Sequence, residues 1–230
     1  MSVSVLLTAY RESAVIPRSV ARVTKELQSL GEAYEIIICD DGSNDDTAAV
    51  VAALGDPRVR CVTGEHLGKG GSLSRGVMAA TGDRIFYTDI DLAYGTRVIP
   101  RFLEALARGA DLAIGSRPLH PRGYEGYPLH RKLFSGGYRA ALRLLGGIHV
   151  SDAQCGCKAY TKNAARAIFA EIGEQGFAFE FETLLRAEKA GLAVCELPVR
   201  VLRNGASHVR PMRDGLRMLK AAMRIRQQYK

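Results

Sequence analysis

The chain opens on two kinds of apolar spacing that alternate. Residues 3–8 are a near-continuous β-favouring run, and after a polar stretch Ile16, Val20, Val23, Leu27 and Leu30 recur at three- and four-residue steps, the stripe of an amphipathic helix. Pro17 falls in the first turn of that helix, where a missing N–H costs little, and Gly31 stops it. The same order repeats. Residues 34–39 predict a second strand and a helix to about Leu54; 58–63 predict a third strand, followed by a helix over 70–80. A fourth strand over 84–88, a helix over 98–108 and a fifth strand over 111–115 complete this half. Strand and helix alternating through short connections predict an α/β fold, with a mostly parallel central sheet flanked by helices and right-handed crossovers.

The second half is less regular. Residues 116–128, SRPLHPRGYEGYP, carry three prolines, two glycines and two tyrosines, the composition of a loop. Residues 131–145 read as a helix, 150–158 as a turn holding Asp152, Gln154, Cys155 and Cys157, 178–190 as a helix and 193–202 as a strand. Residues 211–230 form an amphipathic helix in which Met212, Leu216, Leu219 and Met223 make one stripe and Arg213, Arg217, Lys220 and Arg224 the next. Such a helix packs its apolar stripe on a domain or lies on an anionic membrane surface. With no repeat or low-complexity tract, the expected organisation is one domain over 1–210 and this helix over 211–230.

Charge narrows the partners. A formal net charge of +8 points to anionic ligands such as phosphorylated metabolites, nucleic acid or acidic lipid. Nucleic acid is disfavoured, because basic residues interleaved with exposed aromatics and recognition-helix motifs are missing. The odd set of five cysteines fits no disulfide framework, and a reduced, cytoplasmic protein is expected. The first residues lack the basic and apolar regions of a secretory signal. No apolar run approaches the roughly 20 residues of a membrane span.

The loops after the strands carry the chemistry. The fourth strand runs into Asp89-Ile90-Asp91. Two carboxylates at alternate positions, where the chain is leaving the sheet, can both turn to one ion. Oxygen ligands suit Mg²⁺ or Mn²⁺, held through one or two carboxylates and substrate phosphates. Lys69 stands between Gly68 and Gly70 at the start of a helix, where an anion finds an ammonium and helix amides together. Asp40 and Asp41 end the second strand; they suit a nucleobase N–H or, equally, an Asx turn feeding the next helix. In open α/β sheets such loops converge on one crevice at the carboxyl ends of the strands.

Taken in order, TAYRES, IIICDDGSNDDT, HLGKGGSLSRGVMAATGDRIFYTDIDL, DLAIGSR, SDAQCGCKAY, FAFEFETLLRAEKAGLAVCELPVRV and SHVRPMRDGLRML resemble the family 2 inverting glycosyltransferases of GT-A fold. They are most similar to its dolichyl- and polyprenyl-phosphate sugar synthases, and cover nearly the whole chain. The resemblance implies a single Rossmann-like GT-A domain that moves a hexose from a nucleotide sugar to a polyprenyl phosphate. It implies UDP-glucose as donor with GDP-mannose second, and peripheral membrane contact through 211–230. The alternative is a soluble glycosyltransferase acting on a hydroxyl. By the same resemblance Thr8, Ala9, Tyr10, Glu12, Asp40, Asp41, Lys69, Asp89, Ile90 and Asp91 bind the nucleotide sugar. Asp89 and Asp91 take the metal. Arg117, Arg131, Ser135, Gln154, Glu180 and Arg203 serve the acceptor. Asp152 is the candidate base should the acceptor be a hydroxyl, with Glu180 behind it. In the QCGCK segment Cys157 stands where the family's CGFK motif usually has phenylalanine.

Overall fold

The computed structural model describes residues 1–125, 136, 148–176, 178–202 and 211–229, the side chains of 211–219 excepted. The described elements are β1 Ser2–Ala9, α1 Ile16–Ser29, β2 Ala33–Asp40, α2 Thr47–Ala53, β3 Val59–Val62, α3 Lys69–Ala79, β4 Arg84–Asp89, α4 Ile99–Ala107 and β5 Leu112–Ser116. There follow β6 Cys157–Thr161, α5 Lys162–Phe169, α6 Phe179–Lys189, β7 Val194–Pro198 and α7 Pro211–Gln228. Seven strands form one sheet in the order β3-β2-β1-β4-β6-β5-β7. All neighbours are parallel except those of β6, which runs antiparallel between β4 and β5.

The central strands β1, β4 and β5 and the latter part of β2 are buried on both sides because both faces of the sheet are covered. Val5 and Leu7, Ile36 and Ile38, and Phe86 point to the face covered by α1 and α4. Leu6, Ile37, Cys39, Ile85 and Tyr87 point to the other, covered by α3, α5 and α6. Ala222 and Ile225 of α7 are buried in this second layer, whereas Met223, the described member of the expected apolar stripe, is 41% exposed; the described part of the helix packs on the domain through a neighbouring face.

The expected strands and helices of the first half are all present, with ends shifted by a residue or two. The turn expected over 150–158 is shorter than that. Its last residues start β6, and α5 follows, opened by the Thr161 hydroxyl accepting from the Ala164 N–H. The helix expected over 131–145 lies outside the described residues, Gly136 excepted.

Glu35 ties the amino-terminal half of the sheet together. Its carboxylate accepts from the Ser4 hydroxyl at 2.6 Å, the Thr81 N–H at 2.6 Å and the Arg60 guanidinium at 3.0 Å. Burial alone would raise its pKa, but these donors hold it down to about 2, below its ordinary 4.5. A folded value below the unfolded one means stability fully present above pH 4.5 and lost as pH falls towards 2. Glu35→Gln is therefore expected to be less stable than the parent at pH 7, with the gap closing by pH 2 to 3 in denaturant titrations. A gap that does not change with pH would refute this.

Candidate active site

β1 runs on to β2 and β3 on one side, while β4 lies on its other side. The strand order therefore reverses between β1 and β4, and a crevice opens at their carboxyl ends. Thr8 and Asp89 are register partners there. The Thr8 hydroxyl donates to Asp89 Oδ1 at 2.8 Å, and the Lys69 ammonium meets the same oxygen at 2.7 Å. The Asp89 side chain remains 42% exposed, so this charge pair faces the opening. Gly156, next to the start of β6, completes the cradle. A Cβ there would lie 2.8 Å from Asp89 Oδ2 and 3.0 Å from Lys69 Nζ. Asp91 follows two residues on; its Oδ1 accepts from the Ala93 N–H at 3.0 Å, and Leu92 adopts a φ of 53° to make that turn.

Among the described residues no group of three or more His, Cys, Asp or Glu gathers to hold an ion by itself. The oxygen-only pair Asp89 and Asp91, on an open floor with a glycine-lined cradle, fits a Mg²⁺ or Mn²⁺ completed by substrate oxygens. It does not fit a self-contained protein cage.

The loops after β2 and β3 form one wall. Asp40 accepts from the Ser43 hydroxyl at 2.5 Å and the Thr63 hydroxyl at 2.6 Å. Asp41 accepts from the N–H groups of Leu67 and Gly68 at 3.0 Å and pairs with His66 Nδ1 at 2.9 Å. Both carboxylates are buried and fix the loop shape, the Asx-turn role rather than an open face. Arg75 of α3 braces them from below, donating to the carbonyls of Asp40 and Glu65. Tyr10 is exposed and stacks on the His66 ring, centroids 4.4 Å apart; the two make the rim. Ala9 is buried and Glu12 half-buried on the same side.

Three expectations need correction here. The α3 amides do not wait for a phosphate, because Gly70 and Gly71 donate to the Gln175 carbonyl; Lys69 contributes its ammonium. Ile90 does not face the crevice. Its side chain is in the core, its N–H donates to the Thr8 carbonyl, and its carbonyl accepts from Ser19. Glu180 is buried behind Tyr87, whose hydroxyl donates to it at 2.6 Å, and the fully buried Lys158 ammonium meets its other oxygen. It is half of a core ion pair, 4% exposed.

On the far wall Asp152 and Arg117 hold each other. Asp152 accepts from Arg117 Nε at 2.6 Å, its second guanidinium nitrogen at 2.7 Å and its backbone N–H at 3.1 Å. Burial works against the Arg117 charge, yet the Tyr94 phenol and the Asp152 carboxylate outweigh it, and its pKa stays well above the ordinary value. Gln154 is half-buried on the segment that leads from Asp152 to β6. Burial pushes the Cys155 thiol up to about 11 and Cys157 higher still, so neither serves as a nucleophile. Arg131, Ser135 and Arg203 lie outside the described residues.

Residues 4–169 match the model of glycosyl transferase family 2. The chain belongs to that family. Over 95% of its length it is 34% identical to glycosyltransferase AglD of Haloferax volcanii, of which it spans 36%. Over 98% of its length it is 28% identical to a dolichyl-phosphate beta-glucosyltransferase of Dictyostelium discoideum, spanning 74% of that protein. Its fold superposes on glucosyl-3-phosphoglycerate synthase from Mycobacterium tuberculosis in complex with phosphoglyceric acid. The TM-score is 0.69 at 25% identity, over 99% of this chain and 79% of that one. The same synthase bound to Mn²⁺, UDP-glucose and phosphoglyceric acid gives a TM-score of 0.68 at 24% identity, over 97% and 78%. The fold is therefore the GT-A fold of these glycosyltransferases.

Within this glycosyltransferase domain several residues escaped the sequence reading. Arg75 lies on a helix face that reads as ordinary amphipathic surface. Lys158 and Tyr87 sit on neighbouring strands that pair across 71 residues, and no local spacing announces them. Lys158 lies between Cys157 and Ala159, an alternation that by itself reads as a solvent-facing position, and only the layer over the other face of the sheet buries it.

Proposed function

We propose that this domain transfers a hexose from a nucleotide sugar to the phosphate of a polyprenyl phosphate, with inversion at C1. UDP-glucose is the donor expected first and GDP-mannose second. The observation that carries the reading is the Asp89–Lys69 pair at the β1/β4 switch point, a charge cluster built for a diphosphate. The family relatives support it, two of them being dolichyl-phosphate beta-glucosyltransferases of Dictyostelium discoideum and Drosophila melanogaster.

Lys69 would hold the donor diphosphate on the crevice floor, Asp91 acting on it only through a bound divalent ion, with the nucleoside along the Tyr10–His66 rim. A Mg²⁺ or Mn²⁺ bound by Asp89 and Asp91 supplies charge neutralisation for the departing diphosphate. An acceptor phosphate oxygen forms the new bond to C1 as the bond from C1 to the diphosphate oxygen breaks, and that electron pair leaves with the nucleoside diphosphate. A phosphate is already ionised near neutral pH, its second pKa being about 6, so no base is required. That agrees with an Asp152 whose oxygens are filled by Arg117. In this reading Asp152 positions Arg117, and Arg117, with Arg131 and Arg203, meets the acceptor phosphate. Lys220, exposed on α7, would face anionic lipid on the cytoplasmic side. Among the described residues no helix is long and apolar enough to cross a membrane.

A second reading has a specific support. The likeness to a glucosyl-3-phosphoglycerate synthase bound to phosphoglyceric acid favours a small phosphorylated acceptor whose hydroxyl attacks C1. Labelled glucose offered from UDP-glucose with Mn²⁺ separates the two. Label that partitions into organic solvent when polyprenyl phosphate is added supports the lipid acceptor. Label appearing only on water-soluble phosphorylated acceptors moves the reading to the second, and no transfer from UDP-glucose or GDP-mannose to either overturns both.

A further inference from the structure

The turn that carries Lys69 hangs on a distant loop. Gly70 and Gly71 donate to the Gln175 carbonyl at 2.7 and 3.3 Å. The approach is tight: a Cβ on Gly70 would lie 2.7 Å from Phe179 Cβ and 2.8 Å from the Glu174 carbonyl. Residues 172–175 belong to no helix or strand, so something else must fix that carbonyl.

Glu182, on the first turn of α6, is that fixture. Its carboxylate is 2% exposed and accepts from the N–H groups of Gly173 at 3.0 Å and Glu174 at 2.7 Å, from Arg186 Nε at 3.1 Å and from the Tyr229 hydroxyl at 2.9 Å. Two of these donors are backbone amides of the loop itself. Tyr229 comes from the end of α7, and one turn earlier Arg224 reaches Glu174 at 2.9 Å. A buried carboxylate with four charge-assisted partners is a strong local constraint, and it lies one residue from the carbonyl that seats α3.

We infer that Glu182 is a positioning residue for the donor site, locking the 173–175 loop whose Gln175 carbonyl sets the Lys69 turn, and that Tyr229 and Arg224 of α7 complete the lock. The inference rests on the reading that Lys69 serves the donor diphosphate. It makes the carboxyl-terminal helix a part of the donor site although it does not line it. Anything that lifts α7 from the domain loosens the turn beneath the diphosphate.

The test uses the whole chain, with Glu182→Gln and the milder Tyr229→Phe, which removes one hydroxyl at the rim of the fold. Amide hydrogen exchange reports the lock without any ligand. Gly70 and Gly71 should exchange about tenfold faster in Glu182→Gln and a few-fold faster in Tyr229→Phe, the loss of one charge-assisted hydrogen bond, while β1 amides keep the parent rate. UDP-sugar KM should rise about as much with acceptor KM unchanged, a split that general destabilisation would not give. Parent-like exchange at Gly70 and Gly71 in both variants overturns the inference, as does faster exchange with unchanged donor KM. A parent protein that binds no nucleotide sinks the donor reading instead, and the exchange rates still decide whether the lock exists.

Discussion

Asp89→Asn and Asp91→Ala are each expected to lower sugar transfer by about 10²–10³-fold while the protein stays folded, the scale of losing a preorganised electrostatic contact to a developing charge. Folding should survive because the Asp89 side chain is partly exposed at the crevice, and asparagine still accepts from the Thr8 hydroxyl at the 2.8 Å contact. What it loses is the charge facing Lys69. An uncompensated ammonium then remains, and one of the two carboxylates that fit a divalent ion is gone. A readout apart from activity follows. Titration calorimetry should show UDP binding strengthened by Mn²⁺ in the parent and indifferent to Mn²⁺ in either variant. Parent-like transfer in Asp91→Ala, or Mn²⁺-dependent UDP binding that persists in both, would remove the metal assignment.

Arg117→Ala is expected to cost about 3–5 kcal/mol of stability, because it strands a buried carboxylate, and to abolish transfer besides. Asp152 is 1% exposed and receives three donors from Arg117 alone, so it has nowhere to find replacements. At this chain length the loss corresponds to roughly 10 °C in Tm. The double variant Arg117→Gln with Asp152→Asn separates structure from function. Removing both charges should return much of the stability, yet transfer should stay lost if Arg117 meets the acceptor phosphate. A double variant that recovers both would make the pair purely structural. Asp152→Asn alone carries a further distinction. Were Asp152 the base for a hydroxyl acceptor, raising the pH would restore rate as the hydroxyl ionises; as an anchor for Arg117 it gives a loss that does not change with pH.

Legibility followed the range of the interactions. The strands β1, β2 and β4 were readable because side chains entering both buried layers make each one a short continuous apolar run, and that run is written locally. β6 was not. Its residues follow Gly156 in a segment rich in small and polar residues, and its place between β4 and β5 depends on pairing with chains far along the sequence. The site divides the same way. Asp89, Asp91 and Lys69 stand out in the sequence because a strand end and a glycine turn mark them. Glu180 was misplaced because a glutamate in the first turn of a helix looks solvent-facing, and only the arrival of Tyr87 and Lys158 from two other strands buries it. For Asp41 the sequence left a ligand contact and an Asx turn open, and the N–H groups of Leu67 and Gly68 that it accepts from come from a loop 26 and 27 residues away.

By itself the sequence determined the α/β alternation, the crevice at the strand ends, the acidic pair that marks its floor and the family. Each of these rests on spacing within a few residues or on the order of motifs. The tertiary structure decided which charged groups are open and which are spent. Asp89 keeps an exposed carboxylate, Asp152 is filled by Arg117, and the Lys69 turn is held by a carbonyl about a hundred residues away in the chain. The reason is that a polar group's role depends on whether another donor or acceptor reaches it after the chain collapses, and that partner is set by topology rather than by neighbours in sequence.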